Sequence, residues 1–206
     1  MINADRIPRD VIVIGGSAGG VKPAMSILEQ LPGHLPVFGG IVLHRSPFYE
    51  TRLPQVLGRH SAFSVLEPVD GVAAQRGIVY VAPRDQHMFF EDAVVRVDRG
   101  PKQHRTRPAI DPLFLSAAAV YGPRVVGVLL SGMGGDGVSG FLAIKAAGGI
   151  TLVQAPDDAQ FPTMPIRALN EDDVDAALPV EALSQVLAML AVGGAVDAPS
   201  PRAPAV

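Results

Sequence analysis

Short aliphatic runs that stop abruptly at glycine or a polar residue recur along this chain, and they constrain its fold more than any other feature. "VIVIG" (11–15), "GGIVLH" (39–44), "RVVGVLLSG" (124–132) and "GGITLVQA" (148–155) are too short for buried helices and too uniformly apolar for half-exposed strands. Strands of this kind are buried on both faces, as in a parallel sheet covered by helices on either side. Helix-length spacers separate them: residues 21–30, residues 48–57, a stretch ending near Ala147, and a helix within 174–191 whose start is marked by Pro179. "FSVLEPV" (63–69) is a further strand-like run. In "GIVYVAPRDQHMFFEDAVVRVDRG" (77–100) strand follows strand with no room for a helix, so antiparallel hairpins are predicted. Asp111 followed by Pro112 reads as an N-cap opening a helix to about Tyr121. The predicted class is α/β: a doubly wound, mostly parallel, Rossmann-like sheet with an antiparallel β-hairpin excursion. Residues 1–191 read as one domain, and the Gly/Pro/Ala-rich segment 192–206 as a disordered tail.

The 206 residues suffice for one domain with a sizeable core, which must be mainly aliphatic because only 5% of the chain is aromatic. Several function classes are disfavoured at once. A net charge of −3 leaves no footprint for nucleic acid. The absence of cysteine excludes disulfides, thiolate metal sites and a thiol nucleophile. There is no secretory h-region in "MINADRIPRD" and no apolar run of membrane-spanning length, so no membrane insertion and a cytoplasmic location are expected. No metal or cofactor is expected either.

The glycine cluster in "VIVIGGSAGG" (11–20) can serve two chemistries. As a dinucleotide loop it fails, because G-x-G-x-x-G places Ser17 or Ala18 where the second glycine must let a pyrophosphate approach the backbone. The acidic residue required about 20 positions on is also missing from "PGHLPVFGG" (32–40). As G-x-S-x-G between strand and helix, Gly15 to Gly19 would instead present the hydroxyl of Ser17 at the sheet edge. The simpler alternative is a tight turn whose serine caps the helix. A serine nucleophile needs a base and an orienting acid. Among the histidines only His44 ends a buried strand, while His34, His60, His87 and His104 sit in loops, a helix end or the hairpin region. Asp136 follows the strand ending at 132, although as a helix N-cap it would need no catalytic role. In a doubly wound sheet these three positions converge on one crevice. Ser131 is a rival nucleophile without the G-x-S-x-G frame. The glycines of "SGMGGDG" (131–137) suggest backbone N–H groups free to meet an anion, as an oxyanion hole requires. Arg99, Lys102, Arg105 and Arg107 put four cations within nine residues, either a solvated loop or a docking surface for an acidic partner.

The series "VIVIGGSAGG", "IVLH", "VYVAPRDQHM", "RTRPAIDPLF", "GVLLSGMGGDGVSG" and "FPTMP" resembles, in order, the catalytic domain of the CheB chemotaxis receptor methylesterases, over roughly 11–190. The resemblance implies a protein-glutamate methylesterase, with glutamine deamidation as an accompanying activity, acting on methylated chemoreceptor helices. It places the nucleophile on Ser17, the base on His44 and the acid on Asp136. It also implies oxyanion contacts from the backbone at Met133, between Gly132 and Gly134, and beside Ala18. Two features depart from the family pattern. Ser17 stands too near the start for a preceding receiver domain, so control by phosphorylation within this chain is not expected, and a separate receiver protein is a candidate partner. Ala18 also stands where the family often has threonine. A non-catalytic module of the same fold, and a nucleotide-binding oxidoreductase, are the alternative readings.

Overall fold

The computed structural model describes residues 7–49, 51–172 and 174–196. The apolar runs form the strands that their burial demands. A seven-stranded sheet runs β10-β9-β8-β1-β2-β5-β3, with every neighbouring pair parallel. At its centre lie β1 (Val11–Gly16), β2 (Phe38–Leu43) and β8 (Val125–Leu129), each buried along its whole length. β5 (Ile78–Val81) and β3 (Ser64–Leu66) extend the sheet on one side, and β9 (Ile150–Gln154) and β10 (Ala176–Leu178) on the other. Alternate side chains of β1 point to opposite faces, as strand geometry requires. Ile12 and Ile14 join a core with α1 (Val21–Gln30), α2 (Leu53–Leu57) and α6 (Val180–Ala191). Val11 and Val13 join the opposite core, with α3 (Ile110–Tyr121), α4 (Val138–Ala146) and α5 (Thr163–Glu171). Strand order reverses between β1 and β8, so the crevice for a ligand lies at the carboxyl ends of these two strands.

The antiparallel excursion is a separate three-stranded sheet, β4-β7-β6. Its strands are β4 (Val72–Ala73), β6 (His87–Glu91) and β7 (Val94–Asp98). The hairpin reading of 77–100 therefore holds for β6 and β7 but not for β5, which pairs in parallel with β2 and β3. The chain makes this crossover without a helix, because β4 leaves for the small sheet on the way.

Three further expectations change. The helix of 48–57 shrinks to Leu53–Leu57, since Pro54 occupies its first turn and residues 44–49 run irregularly. α5 and β10 were not anticipated. In α5 the prolines fall at the N-cap, Pro162, and in the first turn, Pro165, where the missing N–H costs nothing. Of the tail expected from 192 on, residues 192–196 turn back through the N–H groups of Gly193 and Gly194, and Val196 packs against the first core. Residues 197–206 lie outside the described residues. Among the described residues no helix is long and apolar enough to cross a membrane.

Candidate active site

Ser17 directly follows β1 and begins the turn into α1. Its N–H donates to the carbonyl of Ser131 at 3.0 Å, and its own carbonyl accepts from Gly20 at 3.0 Å, which fixes the turn against the end of β8. Ser17 Oγ makes no hydrogen bond among the described residues. Gly132 backs the serine closely: a Cβ there would stand 2.9 Å from Ser17 Cβ.

His44 follows β2 and is held by its own N–H, which donates to Gly16 O at 3.0 Å. Its Nε2 lies 2.7 Å from Asp136 Oδ2, with Thr106 Oγ1 at 3.4 Å. With Nε2 engaged by the carboxylate, Nδ1 is the nitrogen left to act as a base. Asp136 is almost wholly buried. Burial works against its charge, but hydrogen bonds from His44 and from the backbone N–H groups of Ile110 and Asp111 outweigh it, and its carboxyl is held below the usual carboxylate range.

Asp136 does not cap its own helix. Neither α4 nor α3 has a side-chain cap from the residue just before it. Instead, Asp136 accepts the N–H groups of Ile110 (2.7 Å) and Asp111 (3.0 Å) at the start of α3. Asp111 returns the favour to α4, with Oδ1 accepting from Gly137 (3.1 Å) and Gly140 (2.8 Å). The helix starts exchange carboxylates because the first turn of each leaves N–H groups that need an acceptor. The expected N-cap at Asp111 is thus corrected to the second residue of α3, serving the neighbouring helix. His104 Nε2 sits 2.8 Å from Asp111 Oδ2 and 4.0 Å from Asp136 Oδ1. Burial, aided by the charge of Asp136, pushes the Asp111 carboxyl up. Sequence reasoning left His104 in a basic loop and gave Asp111 no place in the site, because this pairing exists only once α3 and α4 stand side by side. One ligand atom from each of His104, Asp111 and Asp136 lies within 4.8 Å of the others, a spacing a cation could use, but the helix N–H groups already claim both carboxylates.

A cleft of about 280 Å³ opens over His44 and Asp136, walled by His104, Arg105 and Thr106 on one side and by Met133 to Gly135 on the other. The backbone N–H groups of Ala18, Met133 and Gly134 have no acceptor among the described residues. That of Gly132 is taken by Phe161 O. The rival nucleophile Ser131 is fully buried, and its hydroxyl donates to Ala18 O at 2.8 Å while accepting from Phe161 N–H at 3.0 Å. It braces the serine turn rather than facing a substrate. Of the cationic cluster, Arg107 is already engaged with Asp85 and with the carbonyls of Arg99 and Gly100. Arg99, Lys102 and Arg105 remain at the surface.

The family model described as CheB methylesterase matches residues 12–187. The chain is 35% identical over 191 residues to a protein-glutamate methylesterase/protein-glutamine glutaminase 1 of Paramagnetospirillum magneticum, covering 89% of this chain and 50% of that one. It is 37% identical over 184 residues to a protein of the same description from Xanthomonas campestris pv. campestris, covering 87% and 51%. The chain thus spans about half the length of the curated relatives it matches. The solved CheB methylesterase catalytic domain of Thermotoga maritima superposes with a TM-score of 0.83 at 30% identity, over 89% of this chain and all of that one.

Proposed function

Because the chain belongs to the CheB methylesterase family, we propose that it is a serine hydrolase removing methyl esters from glutamate side chains of chemoreceptors, and that Ser17, His44 and Asp136 carry the reaction. The single observation behind the assignment is the 2.7 Å bond from the buried Asp136 to His44, at the strand end beside Ser17. His44 accepts the Ser17 proton as Oγ attacks the ester carbonyl. Asp136 fixes the imidazole and stabilises its cation. The free N–H groups of Ala18 and Met133 are the donors proposed for the oxyanion. Methanol departs with the proton from His44, leaving an acyl-serine. Water then attacks, His44 takes its proton, and the glutamate carboxylate and the serine hydroxyl are released. With a glutamine side chain the same steps expel ammonia. The partners on this reading are methylated receptor helices, met in the cytoplasm.

Methanol release from methylated receptor measures the proposal. Ser17→Ala should lower the rate by about 10⁴ to 10⁶, and an unchanged rate would refute the nucleophile.

A further inference from the structure

The residue after His44 opens a second cleft, and this one is strongly charged. Arg45, Arg52, Arg84 and Arg99 line it, with Glu67 as its acidic member. Its volume of about 410 Å³ falls within the roughly 300–1,000 Å³ of clefts that hold ligands. Arg45 forms a rigid base: its side chain is 7% exposed, and its guanidinium donates to Glu67 (2.6 Å), to Ala82 O (2.6 Å) and to Thr51 (3.0 Å). Arg84 donates to Pro47 O at 2.9 Å and so ties one wall to the irregular segment after β2. Arg52 and Arg99 are exposed, and among the described residues no hydrogen bond or ion pair engages their guanidinium groups, although the charge of Arg99 also acts on the Asp85 carboxylate. Four guanidinium groups against one carboxylate leave surplus positive charge, on a chain whose net charge is −3.

This cleft and the candidate active site are lined in part by neighbouring stretches of chain. His44 and Arg45 are consecutive at the end of β2. The loop that brings Arg99 to one cleft brings His104 to Thr106 to the other, closed on itself by Arg107. Between Arg45 and Arg52 stand Phe48 and Tyr49, 85% and 72% exposed. Exposed aromatics beside exposed arginines are the composition of a recognition surface.

We propose that the arginine cleft binds carboxylate side chains of the helix that presents its ester to Ser17 and His44, so that acidic residues one turn from the ester set substrate choice. The proposal rests on the esterase reading for the identity of the bound helix. Side chains one helical turn apart lie about 5–6 Å from one another, close enough for one helix to serve two adjoining clefts. Phe48 and Tyr49 would take its apolar flank.

The experiment uses the full chain carrying Ser17→Ala, and a labelled helical peptide with a glutamate methyl ester and glutamates one turn to either side. A second peptide has glutamines in place of those glutamates. By fluorescence anisotropy the acidic peptide should bind about tenfold tighter. Arg52→Glu combined with Arg99→Glu should erase that preference, whereas Arg59→Glu, at an exposed position that lines neither cleft, should leave it. Equal affinity for the two peptides overturns the proposal, as does a preference that survives the double reversal or that Arg59→Glu removes as well. Methanol release by the Ser17-intact protein is followed in parallel. No methanol with the preference intact overturns the esterase reading but not the cleft. Methanol without a preference overturns the cleft alone.

Discussion

Two buried aspartates carry more of this site than their number suggests. Asp136 orients His44 and caps α3, and Asp111 caps α4 while facing His104. They differ in charge preference, since burial raises Asp111 whereas hydrogen bonds hold Asp136 low. Their amide replacements should therefore differ too. In Asp111→Asn the amide oxygen can still accept from Gly137 and Gly140, both of which use Oδ1, while the NH₂ faces His104 Nε2. That variant should stay within about 1 kcal/mol of the wild type, whereas Asp111→Ala strands two buried N–H groups and should cost about 2–4 kcal/mol. The pH dependence has a definite sign. A raised folded-state pKa favours the protonated form, so at neutral pH the wild type carries a charge penalty that Asp111→Asn lacks. The penalty fades as pH falls through the raised value toward the ordinary 3.8. Denaturant titrations from pH 7 to pH 4 should show Asp111→Asn gaining least over the wild type at the acid end. A gap that widens with acid would mean that Asp111 is not held as argued.

Between elements, the geometry turns on how closely α4 approaches α3. A Cβ on Gly140 would lie 2.3 Å from Phe114 Cβ, and Phe114 stacks on Phe141 with centroids 5.6 Å apart. Gly140→Ala sets two effects against each other. Helix propensity favours alanine by about 1 kcal/mol, and overpacking costs about 1–3 kcal/mol. Contact with a Cβ gives little room for relief, so the variant should melt lower than the wild type. It should also lose activity beyond that change, because Asp111 and Asp136 depend on the spacing of these helices. Thermal melts and methanol release test both, and a higher melting temperature would show that α4 moves freely. The same spacing marks the limit of what was legible in the sequence. Continuous aliphatic runs identified β1, β2, β8 and β9, because burial on both faces leaves a local signature. Whether β5 pairs parallel or antiparallel is decided by a distant neighbour. α5 hid behind prolines that suit a helix start. Local capping rules assigned each aspartate to its own helix, when the acceptors are in fact exchanged.

At the scale of the molecule, the nearness of Ser17, His44 and Asp136 was legible because Ser17 and His44 directly follow β1 and β2, Asp136 lies in the segment between β8 and α4, and the doubly wound topology gathers these segments at one edge of the sheet. The arginine cleft was not, since its members come from separate loops and only Arg99 belonged to the visible charge run. This distribution makes the sign of the salt response informative. The chain as a whole is negative by three charges, so an approaching acidic helix would be repelled if net charge governed the encounter. Salt would then raise the capture rate by screening that repulsion. If the cationic rim governs, salt lowers it, because the Debye length shrinks from about 10 Å at 0.1 M to about 3 Å at 1 M and the attraction fades. Stopped-flow association of the acidic helix should therefore slow as salt rises from low to molar concentration, with dissociation much less affected. Arg52→Glu with Arg99→Glu should flatten or invert the slope. An association rate that rises with salt in the wild type would show that the surface charge of the whole molecule, rather than the rim beside His44, meets the substrate first.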